Sequence, residues 1–262
     1  MPPVTICIPA YRAERFLGKA VESVLAQSHT DLHVLISVDP AGDGTEARAR
    51  DFAARDARVR VNINPDRLGW AGNVNACLDR VETPYFAFCM HDDQLHPDFV
   101  TRLLTLLEAD PDAICANGGV SREGDWHGDA PVQANIDITG TPYDRVQMRL
   151  EHMTPSYSLK DLQRSDLVHA GLRLPMHLPL HYQADFAFVL ANALAGNFRS
   201  DPDVLYFKSY DETTVTGGFR ALPPETLMPA EVAIRAHMIR QIQESGMTPD
   251  EIARLRGRSE MS

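Results

Sequence analysis

The chain has 262 residues, 44% of them hydrophobic and 23% charged. That is an ordinary globular mix, long enough for one large α/β domain or two small ones, so a core can form without covalent or metal staples. Twenty-five Lys and Arg against 36 Asp and Glu leave a formal charge of −11, which argues against general affinity for nucleic acid or an anionic membrane surface.

Taken from the N-terminus, Val4–Ile8 is a β-branched run that ends at Pro9. It is too short for the apolar region of a signal peptide, and no later stretch approaches the roughly twenty apolar residues of a membrane span. The four cysteines, Cys7, Cys77, Cys89 and Cys115, stand singly inside apolar runs without CxxC pairing. They read as small core residues in a reducing compartment, and a cytoplasmic protein without a transmembrane segment is expected.

Further strands are expected at Leu32–Val38, Val59–Ile63, Tyr85–Cys89 and Ala113–Ala116, separated by segments of helical period. In the first of these segments Phe16, Ala20 and Val24 form one row and Leu17, Val21 and Leu25 the adjacent one, which makes one apolar face. Pro97 and Asp98 announce another helix, burying Phe99, Leu103 and Leu106; a proline there loses no needed N–H and an acid meets the positive end of the dipole. Regular alternation of strand and helix implies right-handed crossovers and a mostly parallel sheet, with ligands beyond the carboxyl ends of its strands. The informative loops are therefore 9–12, 39–45, 64–72 and 91–95, which are rich in Asp, Asn, Arg and Gly.

Beyond them, 119–142 is a polar stretch long enough for a functional loop or lid. A helix is expected over Gln183–Leu194 and a strand over Val204–Phe207. Two helices follow in the tail, the second opened by a capping box of Thr248 and Glu251. From Pro223 onward there are five Lys or Arg and six Asp or Glu, so the tail has no basic membrane-binding face; a partner-docking or dimerising pair of helices is expected instead.

Chemistry concentrates at His91-Asp92-Asp93, where two adjacent carboxylates follow a buried strand. Hard divalent cations prefer oxygen ligands, and Mg²⁺ typically combines one or two carboxylates with substrate phosphates. Read alone, an acidic pair of this kind is more often a cap for the next helix. His177 and His181 flank Pro179 ahead of the Gln183 helix and are expected to hydrogen-bond rather than ligate. Trp126 and His127 could stack on a sugar or pack on the domain.

In order and spacing these segments resemble the family 2 glycosyltransferases of GT-A fold. Val4–Tyr11 is similar to the family's first strand ending in Pro-x-Tyr, and Ala20–Ser28 to its following helix. Val38–Thr45 resembles the acidic loop after the second strand, Leu68–Phe86 the approach to the metal motif, and Phe88–Asp93 the Asp-x-Asp-Asp segment. Tyr182–Phe188 looks like the family's Glu-Asp segment at a helix start. The resemblance is strong over about residues 3–118 and weaker over 156–216. Met90, Pro40 and Ala184 depart from the family pattern.

The resemblance implies an α/β, GT-A type, Rossmann-like sheet flanked by helices. Residues 1–118 would be the nucleotide-sugar half, 119–220 the acceptor side, and 221–262 a C-terminal helical extension. It puts Pro9, Ala10, Tyr11, Asp39, Arg67, Asn73 and Asp92 on the nucleotide, Asp93 with Asp92 on Mn²⁺ or Mg²⁺, and Asp185 in the place of the catalytic base. Of the metal pair, Asp93 is expected as the direct ligand. The implied reaction is inverting transfer from a nucleotide-diphosphate donor, a UDP-sugar foremost, to a carbohydrate or glycolipid-precursor acceptor. It would take place in the cytoplasm or at the inner face of the membrane, with a homodimer through the C-terminal helices. Two other readings are a GT-A fold that binds nucleotide sugar without turnover, motivated by Met90, Pro40 and Ala184, and a nucleotidyltransferase. Against the latter, Pro9-Ala10-Tyr11-Arg12 stands where a Gly-rich basic phosphate loop would be.

Overall fold

The computed structural model describes residues 1–122, 136–151, 157–209, 219 and 222–259. Among these, β1 (Val4–Ala10), β2 (Leu32–Val38), β3 (Val59–Ile63) and β4 (Tyr85–Phe88) alternate with α1 (Leu17–Leu25), α2 (Thr45–Arg55) and α3 (Gly69–Leu78). There follow β5 (Gln94–Leu95), α4 (Phe99–Ala109), β6 (Ala113–Arg122), α5 (Pro142–Glu151), β7 (Leu162–Arg164), α6 (Asp166–His169), α7 (Ala184–Ala195) and β8 (Asn197–Lys208). Two C-terminal helices, α8 (Pro224–Gln243) and α9 (Pro249–Ser259), complete the order.

The strands form one mixed sheet in the order β3-β2-β1-β4-β7-β6-β8-β5. β1, β2, β3 and β4 pair in parallel, as do β6 and β8, while β7 and β5 run antiparallel to their neighbours. Because side chains alternate across a strand, the two faces carry different clusters. Val4, Ile6 and Ile8 pack with α1, α2 and α4, whereas Cys7, Phe86 and Phe88 pack with α3 and the start of α7. Each fully buried Leu, Ile or Phe contributes about 1.5–3 kcal/mol relative to exposure. With both faces covered, the first strands read as continuous apolar runs.

The parallel first half and the helix over the Gln183 segment follow the sequence expectation. The second half differs in extent. β6 runs to Arg122 and β8 starts at Asn197, so part of the expected polar loop is strand, and the expected division at residue 118 falls inside β6. The reason is a close approach: a Cβ on Gly118 would lie 2.6 Å from Leu205, so only glycine lets β6 keep its pairing with β8 across register shifts near Asn117 and Gly119. Trp126 and His127 lie outside the described residues.

α7 is held at its far end by Arg145 of α5, whose guanidinium donates to the carbonyls of Ala193 at 2.7 Å and Leu194 at 2.9 Å. These are among the last carbonyls of the helix, which have no intrahelical partner. The capping box at α9 is present as read: Thr248 Oγ1 and the Thr248 amide both donate to Glu251 Oε2 at 2.8 Å, and the Glu251 amide donates to Thr248 Oγ1 at 3.3 Å.

Candidate active site

The carboxyl ends of β1, β2 and β4 deliver their loops to one edge of the sheet. Pro9 and Ala10 are buried as the last residues of β1, and Tyr11 follows, half exposed. The Arg67 guanidinium stands 4.2 Å from the centre of the Tyr11 ring and that of Arg12 5.3 Å, an arrangement in which two cations are held by the π face. Arg12 takes a left-handed φ of 51°, a strained conformation of the kind that clusters at functional loops.

Asp39 is 1% exposed. Its Oδ1 accepts from Asn64 Nδ2 at 2.9 Å and its Oδ2 from the Gly69 amide at 2.9 Å. Gly69 has φ +74°, a region that favours glycine, so this residue type lets α3 begin directly on the Asp39 carboxylate. Asn73 is buried and donates to the carbonyls of Ala10 at 3.2 Å and Ser37 at 3.1 Å while accepting from Asn64 at 3.0 Å. Asn73, expected on the nucleotide, thus ties the ends of β1 and β2 together, and Asn64 joins it to Asp39.

At the end of β4, His91 Nδ1 lies 3.1 Å from the Pro9 carbonyl; a carbonyl only accepts, so Nδ1 carries the proton. Asp92 is partly buried, and its carboxyl is raised above the usual range by burial and by the charge of Asp93, against the pull of His91 and Lys160. Asp93 is 1% exposed and fully engaged. Its Oδ2 accepts from Lys160 Nζ at 2.5 Å and from the Tyr206 hydroxyl at 2.8 Å, and its Oδ1 from the Ser209 amide at 3.0 Å. The carboxylate expected as the direct metal ligand therefore points into the protein, because a buried charge needs an opposite charge and hydrogen bonds. Asp92 is the more accessible of the pair.

No group of three His, Cys, Asp or Glu able to hold a metal is present among the described residues. Met90, a soft thioether, stands beside one accessible carboxylate. That set does not make a preformed cage, but it fits a hard divalent cation that takes most of its oxygens from a diphosphate and water.

Asp185 lies in the first turn of α7. Ahead of it Leu180, His181 and Gln183 all have left-handed φ, at 57°, 51° and 53°, so the segment that sets the helix start is strained. Ala184 and Phe188 belong to the same cluster as Phe88, with Met90 packed against it, which brings the start of α7 to the side of the sheet where β4 ends. His181 Nε2 lies 3.1 Å from the Met176 carbonyl. The His177 ring is 5.1 Å from that of His237 on α8.

Sequence reading missed Lys160, Tyr206 and Asn64. For Lys160 the sequence carries no signal: Lys160-Asp161 sits between Leu159 and Leu162 in an otherwise polar segment, a pattern that reads as solvated surface.

Comparison with known proteins bears on the family and the fold. Residues 5–160, more than half of the chain, match the model of glycosyl transferase family 2. The chain is 27% identical over 117 residues to an uncharacterized glycosyltransferase of Haemophilus influenzae, covering 45% of this chain and 36% of that protein. It is 25% identical over 125 residues to the GalNAc(5)-diNAcBac-PP-undecaprenol beta-1,3-glucosyltransferase of Campylobacter jejuni, covering 47% of this chain and 40% of that protein. It thus spans less than half the length of these relatives. Among solved structures, S. aureus TarS in complex with UDP-GlcNAc superposes with a TM-score of 0.76 at 12% identity, over 95% of this chain and 69% of the other. The mannosyltransferase PcManGT of Pyrobaculum calidifontis, in complex with GDP-Man and Mn²⁺, does so with a TM-score of 0.60 at 14% identity, over 99% and 80%. The chain belongs to glycosyl transferase family 2, and its fold is that of these GT-A neighbours.

Proposed function

We propose that this family 2 chain transfers a sugar, with inversion and with divalent-metal assistance, from a nucleotide-diphosphate donor, a UDP-sugar foremost, to the hydroxyl of a carbohydrate or glycolipid-precursor acceptor. The observation that carries the proposal is the convergence of Tyr11 with Arg67, Asp39 and His91-Asp92 at the carboxyl ends of neighbouring strands, where α/β sheets bind ligands. Structures of similar fold hold UDP-GlcNAc or GDP-Man with Mn²⁺, which supports the donor class.

In this reading Pro9, Ala10 and Tyr11 line the base pocket and Asp39 uses its remaining lone pairs for the nucleoside. Asn73 and Asn64 keep Asp39 in place. Arg67 swings from the Tyr11 ring to the diphosphate. Asp92, supported by Asp93 from beneath, faces the ribose and Mn²⁺ or Mg²⁺. When bound, the cation would neutralise charge on the departing diphosphate. Asp185 accepts the proton of the acceptor hydroxyl as its oxygen attacks the anomeric carbon and the bond to the diphosphate breaks on the opposite face, which inverts the centre.

The place of action in this reading is the cytoplasm or the membrane's inner face; no helix among the described residues is long and apolar enough to cross a membrane. Met228, Val232 and Ile239 of α8 are 60%, 63% and 40% exposed. They fall on one side of the helix by their spacing, which supports a homodimer through the C-terminal helices.

The test is a thermal-shift panel of UDP, GDP, dTDP and CMP with and without Mn²⁺. A ligand at a hundred times its dissociation constant stabilises the native state by about 2.7 kcal/mol, so UDP with Mn²⁺ is expected to raise the melting temperature by several degrees. If no nucleotide raises it under either condition, the donor site is refuted.

A further inference from the structure

Lys160 lies outside the donor pocket, in a short 3₁₀ turn, Tyr157–Lys160, that leads into β7. Its side chain is 10% exposed and its only ion-pair partner among the described residues is Asp93. Four further contacts make this pair part of the metal turn. The Asp93 amide donates to the Met90 carbonyl at 3.0 Å, closing the turn that carries His91 and Asp92. The Met90 amide donates to the Tyr206 hydroxyl at 3.2 Å, and the same hydroxyl donates to Asp93 Oδ2 at 2.8 Å. Lys160 Nζ also stands 4.7 Å from the centre of the Tyr206 ring. The Asp93 carboxylate is therefore an anchor inside the protein for both ends of the turn, and Lys160 is the charge that keeps it there.

The anchor reaches α7 as well. Gln163 donates to the Leu159 carbonyl at 2.9 Å, and Asn192 of α7 donates to Gln163 Oε1 at 2.8 Å. The residue before Lys160 and the helix that carries Asp185 thus share one buried hydrogen-bond network.

A buried ion pair is a weak source of stability, since apolar replacements of both partners are often neutral or better. Geometry gives this one another use. With Lys160 on Asp93, the Asp92-Asp93-Lys160 group carries a net charge of −1 rather than −2, and only Asp92 is left to face a ligand.

We infer that Lys160 is a positioning residue for the donor site: by holding Asp93 inside the protein it fixes the Met90–Asp93 turn so that Asp92 alone meets the metal that arrives with the nucleotide diphosphate. The inference rests on the donor-site reading and adds to it a residue that touches neither donor nor acceptor.

The experiment measures UDP affinity by calorimetry with and without Mn²⁺, together with melting temperature, for the parent chain, for Lys160→Met/Asp93→Asn, and for Tyr206→Phe. The double change removes both charges and leaves none buried alone; the Tyr206 change removes only the hydroxyl between Asp93 and the Met90 amide. Supporting partners of metal ligands typically contribute 10–100-fold in metal affinity. The expected result is that the tightening of UDP by Mn²⁺ falls about tenfold or more in the double variant, and by a smaller factor in Tyr206→Phe. Metal-free UDP affinity stays within about twofold of the parent in both. A folded double variant with the parent's full tightening overturns the inference, as does an equal loss of metal-free and metal-dependent affinity. If the double variant does not fold, an unchanged tightening in Tyr206→Phe overturns it. A parent that binds UDP with no response to Mn²⁺ also overturns it while leaving the donor site standing, whereas a parent that binds no nucleotide refutes the donor site itself.

Discussion

Asp185 occupies the first turn of α7, where the free N–H groups and the helix dipole favour a carboxylate and where an acceptor hydroxyl would lose its proton. A residue there merely to complement the dipole would matter to stability by a fraction of a kcal/mol and to turnover hardly at all. A base contributes about 10²–10⁴-fold. Asp185→Asn keeps the shape of the side chain, so nucleotide affinity is expected to stay within about twofold while release of UDP from a UDP-sugar falls by that factor. A coupled assay of released UDP, run beside calorimetry, checks it; unchanged release in an active parent would exclude Asp185 as the base. At the same scale the two acids of the turn differ in what surrounds them rather than in kind. Asp93 is spent on Lys160, Tyr206 and Ser209, and Asp92 is the more accessible of the two.

Among the elements, α8 bears most directly on the site without taking part in it. It packs on the 3₁₀ turn Pro179–His181 and on α7, with Leu178, Ala187 and Ile234 forming a small shared core. His237 of α8 faces His177, and burial, the His177 ring and Arg240 together hold its pKa below the ordinary histidine range, with Glu244 pulling the other way. The folded state thus binds a proton there less readily than the unfolded chain. Stability is present above the unfolded pKa, near 6.5, and is lost as pH falls from there through the lowered folded value. The melting temperature of the parent is expected to drop more between pH 7.5 and pH 5 than that of His237→Gln, measured by differential scanning fluorimetry in matched ionic strength. Equal drops would mean that the docking of α8 does not depend on a neutral His237.

For the whole molecule, the −11 charge is partly an attribute of the site, since Asp39, Asp92, Asp93 and Asp185 all stand at strand ends or a helix start. The mixed sheet joins β1–β4 to β6, β7 and β8 without a break, so the two halves of the chain share one frame. Exposed Met228, Val232 and Ile239 on one side of α8, with Arg235 between the last two, are the feature a monomer would leave uncovered. Light scattering is expected to give the mass of a dimer for the parent and of a monomer for Val232→Glu, with the melting temperature of the Val232→Glu monomer changed only slightly because Val232 is 63% exposed. A monomeric parent at micromolar concentration would exclude the C-terminal helices as a dimer contact.

By itself the sequence determined the parallel first half, the loops at the carboxyl ends of its strands and the capping box at α9. These depend on period, on β-branched runs and on turn residues, all of which act over a few positions. Tertiary structure decided how the acids divide their work. Asp93 meets Lys160 across 67 residues and Tyr206 across 113, and burial there requires a counter-charge that no local pattern specifies. It likewise decided the length of β6, because the space that Gly118 leaves is filled by Leu205 from a strand far along the chain. Asp39 and Asn73 show the same limit: their residue types mark polar positions near the strand ends, but only packing turned one toward the α3 start and the other toward the Ala10 and Ser37 carbonyls, since a hydrogen-bonding side chain takes whichever partner the fold brings within reach.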